Sequence, residues 1–270
     1  MTSPSRPAFR LWPLSTVLLV LAALGTAGFA VAADRQPEAD RKQAADALKV
    51  QLRGVEPMLA EIDGAARRVA GSLQAAQLEE VAAALADGDA TVAELETVLP
   101  TITSQLDAVS AVPSGWRSMS AVAGSMGEVI GALRRHDEIV FAATGAARQS
   151  EWAAALELLG EARAPLAEAA AARAALSASG DVETLDDLLS RYQAYDASLV
   201  ALYGHVRDTG SQDGALFTDL RVNVEQAQAA LPRNDDVLAV IVGEVAAPAI
   251  ADSLVAIQQA RDVVKEALDT

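Results

Sequence analysis

The 270-residue sequence contains no cysteine. Disulfides, thiolate metal sites and cysteine nucleophiles are thereby excluded, and any exported fold must be held by its apolar core. Aromatic residues make up only 4% of the chain, against 51% for apolar residues as a whole. The apolar content is therefore mostly Ala, Val and Leu, which favours closely packed helices over a sheet sandwich. Lysine occurs only as Lys42, Lys49 and Lys265, arginine having taken its place, a bias we read as the codon usage of a GC-rich bacterial genome. Basic residues number 21 against 37 acidic ones, for a net charge of −16. Such a chain repels nucleic acid and anionic headgroups, so no nucleic-acid partner is expected, whereas cations and basic partners are admitted.

Charge is absent altogether from Leu11 to Ala33, a run of 23 residues. A helix of that length rises ~34 Å, enough for a hydrocarbon core of ~30 Å. Arg6 and Arg10 precede it and no acid does, which keeps the N-terminus cytoplasmic and sends the rest of the chain across. Ala30–Ala32 also offers the small residues of a signal-peptidase site. The expected organisation is a cytoplasmic tail over 1–10, a transmembrane anchor or signal peptide over 11–33, and an extracytoplasmic helical domain over 34–270. The length of the run favours an anchor at the cell membrane, with secretion after cleavage as the alternative. The exported part carries 19 basic and 37 acidic side chains, a net of −18.

Steps of three and four residues dominate the exported part. Leu48 to Leu73 keep the pattern through a first helix, opened by Pro37 and kinked at Pro57. Leu78 to Val109 continue it with polar interruptions at Asp87–Asp89 and Pro100. "VPSGW" at 112–116 reads as a break with Ser114 as N-cap, followed by the stripe Met119, Val122, Met126, Val129, Leu133, His136, Val140. Trp152 to Leu166 mark a fourth helix interrupted at Pro165. Asp181 is placed to cap a fifth with the most regular heptad stripe, Leu185, Leu188, Tyr192, Tyr195, Leu199, Leu202 and Val206, ended by Gly210. Phe217 to Leu231 form a sixth. In the seventh, Leu238, Ile241 and Val245 lead to Pro248, where a kink would shift the register to Ile250, Leu254 and Ile257. The expected fold is all-α: an elongated bundle of about seven kinked amphipathic helices with heptad-like packing, preceded by one N-terminal hydrophobic helix.

Residues 141–164, "FAATGAARQSEWAAALELLGEARA", resemble a tetratricopeptide unit, with Trp152, Ala155, Leu159 and Ala162 at the expected spacing. A solenoid needs ~3 or more units at a ~34-residue period, and the sequence does not supply them.

Chemistry-bearing patterns are scarce. Neither His136 nor His205 belongs to a Glu-x-x-His or His-Glu-x-x-His arrangement, so no metal is expected on one helix face. The "DGD" at 87–89 fails the EF-hand spacing, because Ala83 and Leu85 would occupy ligand positions, and is expected to be a polar helix break. Asp186–Asp187 and Asp235–Asp236 suit helix starts. Phosphate-binding, nucleophile-elbow and redox motifs are missing. No enzyme activity, cofactor or metal is therefore expected. The candidate interaction or cavity residues are His136, half-buried in "RRHDE", with Tyr192 and Tyr195, while Met119 and Met126 are expected to be core. The functional expectation is a non-enzymatic, membrane-anchored or secreted envelope protein acting through protein–protein contact, with another envelope protein or with itself. The alternative is a sensor-like bundle that binds a small molecule or cation.

Overall fold

A computed structural model describes residues 38–102, 107–176, 182–232 and 235–269. Every element within them is helical: α1 (Glu38–Gln74), α2 (Leu78–Ile102), α3 (Asp107–Ser110), α4 (Val112–Arg148), α5 (Trp152–Glu161), α6 (Arg163–Ala175), α7 (Glu183–Thr209), α8 (Ala215–Ala229) and α9 (Asp235–Asp269). The one-turn α3 adjoins α4, and α5 and α6 are parted only at Ala162, so the nine segments make seven longer elements. The all-α expectation is met. The 11–33 segment, Pro37 and Asp181 lie outside the described residues.

The three- and four-residue steps explain which faces are covered. Leu52, Val55, Leu59, Ile62, Ala66, Val69 and Leu73 of α1 are all at most 1% exposed. They face α2 and α9, the helices that pack most extensively on α1. The N-terminal half of α4 closes this first core with Trp116, Met119, Met126, Ile130 and Leu133, together with α6 and the start of α7. A second, smaller core joins Val140, Ala143 and Ala147 of α4 to Ala155 and Leu159 of α5, Tyr195, Leu199 and Tyr203 of α7, and Val224 of α8. The 37 residues of α4, about 55 Å of helix, thus run through both cores, as does α7.

Three sequence expectations are corrected here. The "DGD" does not break α2, which is helical throughout. Gly88 instead lets the indole of Trp116 lie against the backbone, because a Cβ at position 88 would fall inside the ring. Asp89 then accepts a hydrogen bond from Trp116 Nε1 at 2.6 Å, satisfying the only polar atom of a side chain that is fully buried. Ser114 is not the cap of α4. The helix starts before it, Pro113 occupies the first turn where its missing N–H is not needed, and Ser114 Oγ donates to the Ala111 carbonyl at 2.8 Å. In α9 no register shift is seen: the buried stripe runs Val242, Ala246, Ile250, Ser253, Ile257, Ala260, Val264 past an exposed Pro248. The helix is continuous through that proline, and Val242 and Ala246 carry the face that Ile241 was expected to carry.

By length and composition alone, the Val240–Asp269 part of α9 could cross a membrane. In the fold its buried stripe packs against α1 and α4. Arg261 on the same helix reaches Asp63 of α1 at 3.3 Å.

Turn chemistry matches the helix ends. Gly210 adopts φ 65° at the end of α7, donating its N–H to the Val206 carbonyl, a conformation glycine adopts without Cβ strain. The α4–α5 turn closes through Ser150 at φ 63°, with the Glu151 N–H on the Ala146 carbonyl. The least covered element is α8. Of the stripe read from its sequence only Val224 is buried, and Leu216 and Val222 are exposed.

Gly88→Ala should expel Trp116 from its seat and lower stability by about 1–3 kcal/mol or more, as overpacking does. Gly54→Ala, mid-helix on α1 with open space where its Cβ would go, should raise stability by about 0.5–1 kcal/mol. Urea unfolding of the two variants beside the parent measures both signs.

Candidate functional site

Between its two cores the molecule buries charge. On α4 the apolar stripe steps from Leu133 to His136 to Val140, which places an imidazole where the first core ends and the second begins. His136 is 0% exposed, more deeply placed than the half-buried position expected for it. Its Nε2 lies 3.0 and 3.1 Å from the two carboxylate oxygens of Asp196 on α7. Its Nδ1 lies 3.2 Å from Oδ1 of Asp137. With a carboxylate on each ring nitrogen, the imidazole donates from both and is held as the imidazolium. Burial alone would pull its pKa down, but the hydrogen bonds and charges of Asp137 and Asp196 outweigh it and raise the value from 6.5 to about 9.

Tyr192 completes the network. Its hydroxyl donates to Oδ2 of Asp137 at 3.3 Å, and its ring meets the His136 ring edge-on at 5.1 Å. Two of the three residues singled out in the sequence are therefore in direct contact. The third, Tyr195, stands next to Asp196 on α7, where burial raises its phenol pKa first, with Tyr203 and the two aspartates adding to the effect.

The backbones of α4 and α7 make few close approaches to each other. The space between them is bridged by these large side chains, and where bridging stops a cleft of about 740 Å³ opens. Asp137, Phe141, Thr144 and Arg148 of α4 form one wall at steps of four, three and four; Tyr192, Tyr195, Leu199 and Tyr203 of α7 form the floor; Val224, Glu225 and Gln228 of α8 form the other wall. All three tyrosines of the chain line this one cleft. Phe141 stands at it with 77% of its surface exposed. Arg191 of α7 fixes the end of α8 by donating to the Ala230 carbonyl at 3.3 Å.

Asp196 and Tyr203 escaped the sequence reading. The signal for Asp196 was a carboxylate at a three- and four-residue step within an apolar series, Leu189, Tyr192, Asp196, Leu199, Tyr203. A charge there must be answered by another element, and His136, 60 positions away, answers it. His205 lies partly exposed near the end of α7 and takes no part. Met119 and Met126 are fully buried core. Among the described residues no group of three or more His, Asp or Glu side chains is gathered as a metal site would require.

The arrangement makes stability pH-dependent with a definite sign. The folded-state pKa of His136 lies above its ordinary 6.5. Its contribution is thus full below pH 6.5 and lost as the pH rises toward about 9, a change on the order of 3 kcal/mol. Chemical denaturation at intervals from pH 6 to 9.5 should show this decline, and His136→Gln should abolish that part of the slope. Compared with known proteins, the chain matches no family model, no curated protein and no solved structure.

Proposed function

We propose that this chain is a non-enzymatic binding protein of the bacterial envelope whose helical domain takes up a small molecule in the cleft between α4, α7 and α8. The distribution of aromatic side chains carries the reading. In a chain with 4% aromatics, Tyr192, Tyr195, Tyr203 and Phe141 line one cavity. Among the described residues, and apart from Tyr192 at its edge, the first core uses a single aromatic, Trp116. Packing alone does not ask for that concentration, since the rest of the bundle is filled by aliphatic residues. The volume falls in the range of about 300–1,000 Å³ usual for ligand pockets, and the lining mixes polar and apolar side chains in about equal number. Among the described residues no group of side chains that could hold a metal is gathered, and the Tyr192–Asp137 pair of the lining is tied to His136, so we take binding without chemistry as the reading.

The first expectation drawn from the sequence, contact with another envelope protein or with a second copy, is favoured by one feature. Phe141 of α4 and Leu216 and Val222 of α8 are left exposed on the two helices that wall the cleft.

The two readings separate experimentally. Protein isolated from its native membranes should release a small molecule on denaturation, identified by mass. Ala229→Trp, at a cleft-lining and exposed position, should lose that molecule and keep its helical circular dichroism. A reproducible envelope protein co-purifying with both forms, and no small molecule with either, would favour the second reading.

Placement in the envelope rests on the uncharged run at 11–33 and its arginine flank. The full-length protein should fractionate with membranes and resist carbonate extraction, and external protease should reach residues 34–270 in spheroplasts. A soluble form beginning at Ala33 or Asp34 would make the segment a cleaved signal. Protection of the domain in the cytoplasm would refute export.

A further inference from the structure

We propose that the ligand of the cleft is an organic cation with an apolar body, its amine or quaternary ammonium group seated among the tyrosine rings against Asp137. The inference rests on the reading of the cleft as a ligand site and adds the chemical class.

The tyrosine hydroxyls are the first observation. Tyr195 and Tyr203 are 9% and 6% exposed. Both line the cleft, and among the described residues neither hydroxyl has a hydrogen-bond partner. Neither hydroxyl is among the buried atoms left without a partner, so both open to the cleft and are free to meet what enters it. Two phenol oxygens open to the cavity thus stand there with the aromatic rings that carry them, and the negative quadrupoles of such rings attract ammonium groups.

Charge is the second observation, and it is independent of the first. Asp137 is held by His136 on one oxygen and by Tyr192 on the other, yet its side chain remains 58% exposed. The imidazolium of His136 is shared between Asp137 and Asp196, so the trio carries one negative charge in excess. Glu225, paired along α8 with Arg221 at 3.5 Å, adds a second carboxylate, and among the described residues Arg148 is the single basic residue of the lining. An anionic ligand seated at Asp137 would meet its carboxylate in a protein of net charge −16, and Arg148, eleven residues along α4 and so about 16 Å away, leaves the excess charge at the Asp137 end of the cleft for a ligand to answer. A bare metal ion is a poor match for a cavity of about 740 Å³ that offers these two carboxylates on opposite walls.

The sequence supplies a direct probe, because its three tyrosines all line the cleft. Full-length protein in a non-ionic detergent, carbon-13 labelled in the tyrosine rings, should be titrated with benzyltrimethylammonium, benzyl alcohol and phenylacetate, which share a ring and differ in charge. The cation should shift the tyrosine signals saturably, with an affinity at least about tenfold above that of the alcohol, and phenylacetate should give no saturable shift. Asp137→Asn should weaken the cation about tenfold and leave the alcohol unchanged. Because Asp137 also supports His136, the exposed Glu225→Gln serves as the second variant and should weaken the cation several-fold. If the alcohol or phenylacetate binds as well as the cation, the cation assignment falls and the ligand cleft stands. If none of the three moves any tyrosine signal, both fall.

Discussion

A positive charge kept out of water at the meeting point of two apolar cores is the constraint on which the rest of the molecule turns. Desolvating an imidazolium is costly, and one carboxylate would leave a ring nitrogen unanswered. Asp196 from α7 and Asp137 from α4 answer both nitrogens of His136. This requirement sets the separation of the two long helices. A histidine, an aspartate pair and tyrosine rings need more room than the Ala-rich contacts elsewhere, so α4 and α7 are bridged by side chains instead of packed backbone to backbone. The cleft is the part of that gap the bridge leaves unfilled, and α8, resting on α7, turns the gap into a cavity with two walls.

Most of the fold was legible in the sequence because it follows from periodicity. Of the stripe Leu185, Leu188, Tyr192, Tyr195, Leu199, Leu202, Val206, all but Leu202 are buried, Leu202 being only partly covered while its neighbour Tyr203 is buried, and the ends of α4 at Arg148 and of α7 at Gly210 fall where polar residues and glycine announce them. What periodicity could not convey was pairing at a distance. Gly88 looked like a helix breaker because glycine has low intrinsic propensity. Its actual reason is the indole of Trp116, far along the chain on α4, and tertiary packing overrode propensity. The site divides in the same way. His136, Tyr192 and Tyr195 were visible as polar or aromatic groups on apolar stripes. The carboxylate of Asp196 became meaningful only once α7 was laid beside α4.

The strongly acidic surface has its own logic. Several of its arginines reach neighbouring helices: Arg68 on Asp87, Arg117 on Glu96, Arg135 on Glu168 and Arg173 on Asp186 each join two elements. Apart from Arg173, both partners are well exposed, and such pairs contribute about 1 kcal/mol or less. Their value lies in discriminating between neighbours, since helices with interchangeable Ala–Leu–Val faces could otherwise pack in several pairings. The Arg261–Asp63 contact differs in being largely shielded from solvent. It ties α9 to α1 beside the first core.

The seating of Trp116 has a consequence for observation. Outside the N-terminal run, the sequence holds two tryptophans, Trp116 and Trp152. The first is sealed in the larger core with its indole N–H on a carboxylate. The second lies in the smaller core with its ring 5.8 Å from that of Tyr203. Each half of the molecule thus carries its own intrinsic fluorophore in a different environment, one dry and hydrogen-bonded, the other beside the cleft. Emission recorded from each separately reports whether the halves melt as one cooperative unit or whether the smaller half opens first while the larger remains intact.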